Sequence, residues 1–231
     1  MNNEDKHGEG EAPDVAERAH RWLVVIVALI MGLDLVVILL EREWLNAILI
    51  VLIMAVILVP VVFNRLLPVR VPAEMQILAL MFVFAALFLG EMRSYYERIW
   101  WWDIALHASS GLLLGILGFL LVYVLNESRN IDLHMRPRFV AMFAFIFAVA
   151  MGALWEIFEF SMDRVFGLSM QKPMLDDPSG LTDTMWDLIV DSLGALLISL
   201  LGWWYMHRGV RSFIEIWIQK FIDNNSRFFD S

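Results

Sequence analysis

Three short stretches of this chain carry residue types that could do chemistry: Asp103–His107, Glu156–Glu159 and Asp183–Asp187–Asp191. Their members are three or four residues apart, so a helix would hold each set on one face. Carboxylates and an imidazole converging from several helices are how helical bundles build carboxylate metal sites. A single His among several acids favours a hard cation, Mg²⁺, Mn²⁺ or Ca²⁺, over Zn²⁺, which prefers nitrogen and sulfur ligands. The candidate ligands are Asp103, His107, Glu156, Glu159, Asp187 and Asp191. Without a cation, so many neighbouring carboxylates could not all ionise. Such a cluster suits general acid/base chemistry, with His107, Glu156, Glu159 and Asp187 as candidate catalytic groups, or a proton or ion pathway. The remaining alternative is a hydrogen-bonded network that only fixes helix register.

The elements that must position these residues are apolar. Hydrophobic residues make up 60% of the 231 positions and charged residues 19%, against about 25% charged in soluble domains; the mean hydropathy is +0.66. Six segments, at roughly 22–40, 44–63, 74–90, 104–125, 139–160 and 186–206, reach the ~20 residues that a bilayer crossing needs. The expected fold is therefore an all-α, polytopic transmembrane helical bundle over residues 21–207. A polar, acidic tail (1–20) is expected to be disordered before it. After it, residues 208–231 hold Ile214, Trp217, Ile218, Phe221 and Ile222 at helical spacing, the pattern of an amphipathic helix on the cytoplasmic surface. No small-x-small cleavage site follows the first apolar run, so that span is expected to be retained.

Orientation follows from the cations. Only Arg42, Arg93, Arg98, Arg164 and Lys172, of 17 Lys and Arg, fall in the odd-numbered loops; the positive-inside bias then places both termini in the cytoplasm. On that topology Asp34, Glu91 and all three acid stretches lie in the outer half. Asp103 and Asp183 fall at the rim of a pocket holding His107, Glu156, Glu159, Asp187 and Asp191. Gly111, Gly115 and Gly118 continue the face of His107, and with Gly152 and Gly194 they would let spans four, five and six approach closely. His7, His20, His134 and His207 read as surface residues. Asp163, Asp176 and Asp177 mark an acidic outer loop that either gathers cations or is simply solvated.

Several classes are disfavoured. There is no cysteine, which removes thiol and disulfide chemistry. A net charge of −9 argues against nucleic acid as a partner. No nucleophile elbow, H-E-x-x-H helix or Walker loop occurs. The partners expected are membrane lipids, with a membrane-protein partner or a second copy of the chain as further candidates.

The series D-x-x-x-H-x-x-S-G (Asp103, His107, Ser110, Gly111), W-E-x-x-E (Trp155, Glu156, Glu159) and D-T-x-W-D-x-x-x-D-x-x-G-A (Asp183, Thr184, Trp186, Asp187, Asp191, Gly194, Ala195) resembles the YjdF family of bacterial inner-membrane proteins. It is more distantly similar to VanZ-like proteins, mainly in the D-x-x-x-H element and the later acidic helix. The glutamate pair departs from the E-x-Q-type element of that second group. The resemblance covers spans three to six and implies bacterial origin, an inner-membrane location and importance for these residues; it brings no reaction with it.

Overall fold

The computed structural model describes residues 14–63, 70–127, 135–172, 177–209 and 213–226. Its regular elements are α1 (Val15–Leu40), α2 (Trp44–Phe63), α3 (Ala73–Met92), the short α4 (Tyr95–Arg98), α5 (Trp102–Glu127), α6 (Pro137–Phe166), α7 (Leu181–Arg208) and α8 (Phe213–Asn224). The second half of α3, Phe84–Met92, is wound as a π-helix. Pro137 opens α6 where its missing N–H is no loss. Gly167 (φ 66°) and Gly209 (φ 62°) end α6 and α7 in the left-handed conformation that a side chain would disfavour.

Helices α1, α3, α5, α6 and α7 are each long and apolar enough to cross a membrane; the apolar stretch counted in α2, Trp44–Val59, is shorter. The ends of the chain settle how α2 runs. Lys220 on α8 pairs with Asp14 before α1, at 3.0 Å, and with Glu74 at the start of α3. The starts of α1 and α3 therefore meet at one end of the bundle, so α1 must go out and α2 come back. The 20 residues of α2 cover about 30 Å at 1.5 Å per residue, enough for that return. Six long helices thus run end to end among the described residues, as the hydropathy pattern predicts.

Two apolar clusters hold the bundle. Met31, Ile50 and Phe88 belong to one, formed by α1, α2 and α3. Phe119, Ala144 and Ile198 belong to the other, formed by α5, α6 and α7. Outside them, Leu33, Leu45 and Leu193 are exposed. Apolar surface this extensive on one chain is what lipid contact requires.

The structure changes the expectation at both termini. Residues 15–20 are helical rather than a disordered tail, and residues 1–13 lie outside the described residues. His20 is buried, not on the surface; His207 is exposed and stacks on Trp203, while His7 and His134 lie outside the described residues. The apolar face of α8 turns inward: Ile214 and Ile218 are buried in the α5–α7 cluster, with Trp217, Phe221 and Ile222 packed against it. Polar bonds then fasten the helix. The buried Asn225 accepts from the Arg70 N–H (2.7 Å) and donates to the Arg70 carbonyl (2.8 Å) and the Phe221 carbonyl (2.6 Å). Glu74 first, then Asp14, raises the Lys220 ammonium above its ordinary pKa. Asn225→Ala would leave the Arg70 and Phe221 groups without this partner. We expect it to cost about 1–3 kcal/mol, read as a lower melting temperature in detergent and earlier proteolysis after Arg211.

Candidate functional site

The acid-bearing ends of α5, α6 and α7 lie at the opposite end of the bundle from Lys220. Their backbones touch because glycines leave no side chain between them. A Cβ on Gly111 of α5 would strike the Asp191 carbonyl oxygen of α7, and a Cβ on Gly194 of α7 would strike the Ala108 carbonyl oxygen of α5. A Cβ on Gly118 would stand 2.8 Å from the Ala144 Cα of α6. Such close approach is how small residues work between membrane helices. It brings His107, one turn from Gly111, directly against the acids of α7.

The His107 ring is the centre of the cluster. Its Nδ1 lies 3.2 Å from Asp191 Oδ2 and 4.0 Å from Glu156 Oε1. Its Nε2 lies 3.7 Å from Asp103 Oδ1 and 3.8 Å from Asp187 Oδ2. Asp103, His107 and Asp187 each offer one ligand atom, all within 4.8 Å of one another. Asp187 and Glu156 are 1% and 3% exposed; neither Asp187 oxygen meets a hydrogen-bond donor, and the Thr184 hydroxyl is the donor beside Glu156. Leaving buried carboxylates without donors is costly, and the cost is relieved by a cation or a proton.

A loop covers the acid-bearing end of α7. The Lys172 N–H donates to Asp183 Oδ2 at 2.6 Å, and Gln171 Nε2 donates to Thr184 Oγ1 at 2.8 Å. Asp183 is consequently 1% exposed, so it is buried beneath the loop and not at the rim as the sequence suggested; its Oδ1 meets no donor. The Lys172 ammonium reaches Glu91 Oε1 (3.4 Å) and the Ser169 carbonyl (3.1 Å), and stands 5.1 Å from the centre of the Tyr96 ring. Tyr96 packs on Gly90 in the π-helical turn of α3, a winding often found beside functional sites. Burial first, then the neighbouring charge of Asp103, raises the Tyr96 phenol pKa, so it stays a neutral O–H.

The match to known proteins agrees with this architecture. Residues 19–208 match the family described as "Predicted membrane protein (DUF2238)". The chain belongs to that family. It is also similar to an uncharacterized protein of Thermotoga maritima, 32% identical over 135 residues, which are 58% of this chain and 65% of that one. No solved structure matches. All the acid stretches lie inside the part of the chain that matches the DUF2238 family.

Within this family member the other candidate residues divide. Glu159 is buried, but its Oε1 accepts from Trp155 Nε1 at 2.9 Å on its own helix, and the His107 ring contacts fall to other acids. Asp34 joins a different pair, 3.0 Å from Arg93. Asp163 accepts the Met170 and Gln171 N–H groups at 2.7 and 3.0 Å and so shapes the covering loop. Hydrogen bonds from Ser179 and Thr182 hold the Asp177 carboxyl below its ordinary pKa at the start of α7. These two acids organise the loop and the helix entry; Asp176 lies outside the described residues. Sequence reasoning did not assign Tyr96, Trp102 or Lys172 to the surroundings of the acid cluster. Trp102 carries a buried Nε1 with no acceptor and packs edge-on against Tyr95, with ring centres 4.9 Å apart. The aromatic run at Tyr95–Tyr96 and Trp100–Trp102 is the one signal for them, and it reads equally as a membrane-interface belt.

Proposed function

We propose that this protein is a multi-pass bacterial inner-membrane protein of the YjdF type that binds a hard divalent cation in an outward-facing intramembrane pocket. Asp103, His107 and Asp187 are the ligands, and Glu156 stands beside them as the acid/base group. The bound cation would supply Lewis acidity; three protein ligands leave positions for water or substrate oxygen. The substrate we infer is an envelope lipid or a lipid-linked molecule, because the cation bias would put the acid cluster in the outer half of the bundle. The observation that carries the reading is the buried Asp187 carboxylate, with no donor on either oxygen.

A transport path is less well supported. Below Gly111, α5 meets Ile198 at Gly115 and Ala144 at Gly118, apolar contacts where alternating access would need a site near the midplane.

Two measurements test the proposal. Metal analysis of protein purified without chelator is expected to give about one Mg²⁺ or Mn²⁺ per chain, consistent with one three-ligand centre; no metal, and no uptake of added Mn²⁺, would sink the cation reading. Reporter fusions after residue 8 and after residue 226 are both expected in the cytoplasm, on the cation bias. A periplasmic signal after residue 8 would move the site to the inner leaflet, and one after residue 226 alone would overturn the even number of crossings.

A further inference from the structure

Asp187 and Asp191 lie one turn apart on α7 and are almost equally buried, yet their oxygens are used differently. Both Asp187 oxygens lack a donor. Both Asp191 oxygens are taken: Oδ1 by the Ser110 hydroxyl and Oδ2 by His107 Nδ1 at 3.2 Å. The Ser110 hydroxyl itself sits between Asp191 and the His107 carbonyl, 2.9 Å away. An ionised carboxylate can only accept, so the Asp191 contact favours a proton on Nδ1. In the neutral ring that leaves the Nε2 lone pair facing Asp103 and Asp187.

We propose that Asp191, braced by Ser110, is a positioning residue that fixes the ring orientation and tautomer of His107, so that Nε2 is presented to a cation together with Asp103 and Asp187. This rests on the cation reading above, and it takes Asp191 out of the ligand set that the sequence pattern suggested. Metal-ligating histidines recurrently give their other N–H to a carboxylate in this way. The arrangement is assembled by three helices: Ser110 from α5, Asp191 from α7 and Gly152 from α6. A Cβ on Gly152 would stand 2.8 Å from Asp191 Oδ2 and 3.3 Å from its Cγ, so the bare glycine gives the carboxylate room beside the ring. The hydroxyl–carboxylate–imidazole order also leaves Ser110 unactivated, because its partner is the carboxylate and not the ring.

The competing pull comes from the other side of the ring. Asp103 and Asp187 both face Nε2 and would draw the proton there in metal-free protein if Asp191 did not hold it on Nδ1. Glu156 lies farther off, 4.0 Å from Nδ1, and is the weaker holder.

The test uses full-length protein in lipid nanodiscs, with Mn²⁺ titrated by EPR on wild type, Asp191→Asn, Gly152→Ala and Asp187→Asn. Asp191→Asn and Gly152→Ala are expected to weaken Mn²⁺ binding by about 10–100-fold, the usual effect of losing an outer partner. Asp187→Asn should abolish it at the same concentrations. Gly152→Ala removes no polar group, so it isolates the orientation effect from loss of an acid. The second readout is the histidine ¹⁵N spectrum of metal-free protein, at a pH where the ring is neutral. The His107 proton is expected on Nδ1 in wild type and on Nε2 in Asp191→Asn. A wild-type proton on Nε2, or wild-type Mn²⁺ affinity in Asp191→Asn, overturns the positioning role. If wild type takes up no Mn²⁺, the cation reading fails instead. The proton position then still decides the role of Asp191.

Discussion

Asp187→Asn and Glu156→Gln are expected to silence the pocket while leaving the protein folded. Each amide is nearly isosteric with the acid and still hydrogen-bonds, but it cannot ionise, hold a hard cation as strongly or exchange a proton. Asp187 is a direct ligand in this reading, so its loss should exceed the roughly 10–100-fold that outer-shell partners cost in metal affinity. Glu156→Gln should leave Mn²⁺ binding largely in place and remove the acid/base step. Each amide replaces a buried acid with little change in volume, so metal-free protein should melt no lower than wild type, and Asp187→Asn, at a carboxyl with no donor, should melt higher. The measurements are Mn²⁺ affinity, thermal stability in detergent and complementation of a deletion strain, made on the same preparations. A purely structural network predicts the opposite pattern, in which activity follows stability and both amides are tolerated wherever the fold survives.

Gly111→Ala and Gly194→Ala should instead fail through the fold. Each new methyl would meet a backbone carbonyl oxygen of the facing helix, Asp191 in one case and Ala108 in the other. Backbone in a packed helix cannot step aside as a side-chain end can, so α5 and α7 must separate. Overpacking costs about 1–3 kcal/mol and occasionally more, and these two positions belong at the upper end. For a chain of this size that corresponds to a melting temperature lower by roughly 5–10 °C. Gly152→Ala should be milder, because the atom it presses on is the end of the Asp191 side chain. Gly32→Ala is the control: nothing lies within 4 Å of its Cβ position, and alanine is the better helix former. Gly32→Ala melting as low as Gly111→Ala would show that helix separation is not the cause.

Much of the architecture is legible in the sequence because lipid imposes a strict rule: every backbone polar group must be satisfied within the element, so long apolar runs become helices. The six runs, the terminal amphipathic segment and the grouping of acids at one end all follow from that rule and from a period of 3.6 residues. The acid–histidine spacing identifies which residues share a face, and the glycines at 111, 118, 152 and 194 mark where helices touch.

Tertiary structure decided the rest, since it depends on which side chain reaches which partner across helices. Asp187 and Asp191 are indistinguishable in sequence; only the placement of Ser110, His107 and Gly152 around Asp191 leaves one acid satisfied and the other without donors. Asp183 looks like a rim residue until the Lys172 N–H folds over it. The apolar face of α8 reads as lipid-seeking, because periodicity gives the direction of a face and not what covers it. Here Phe119 and Val140 belong to the cluster that buries it, and Lys220 and Asn225 fasten it there. Spacing along one helix is local information. Pairing between helices is set by packing over the whole bundle, where a single methyl at Gly111 or Gly194 would change the distances between His107 and the acids of α7.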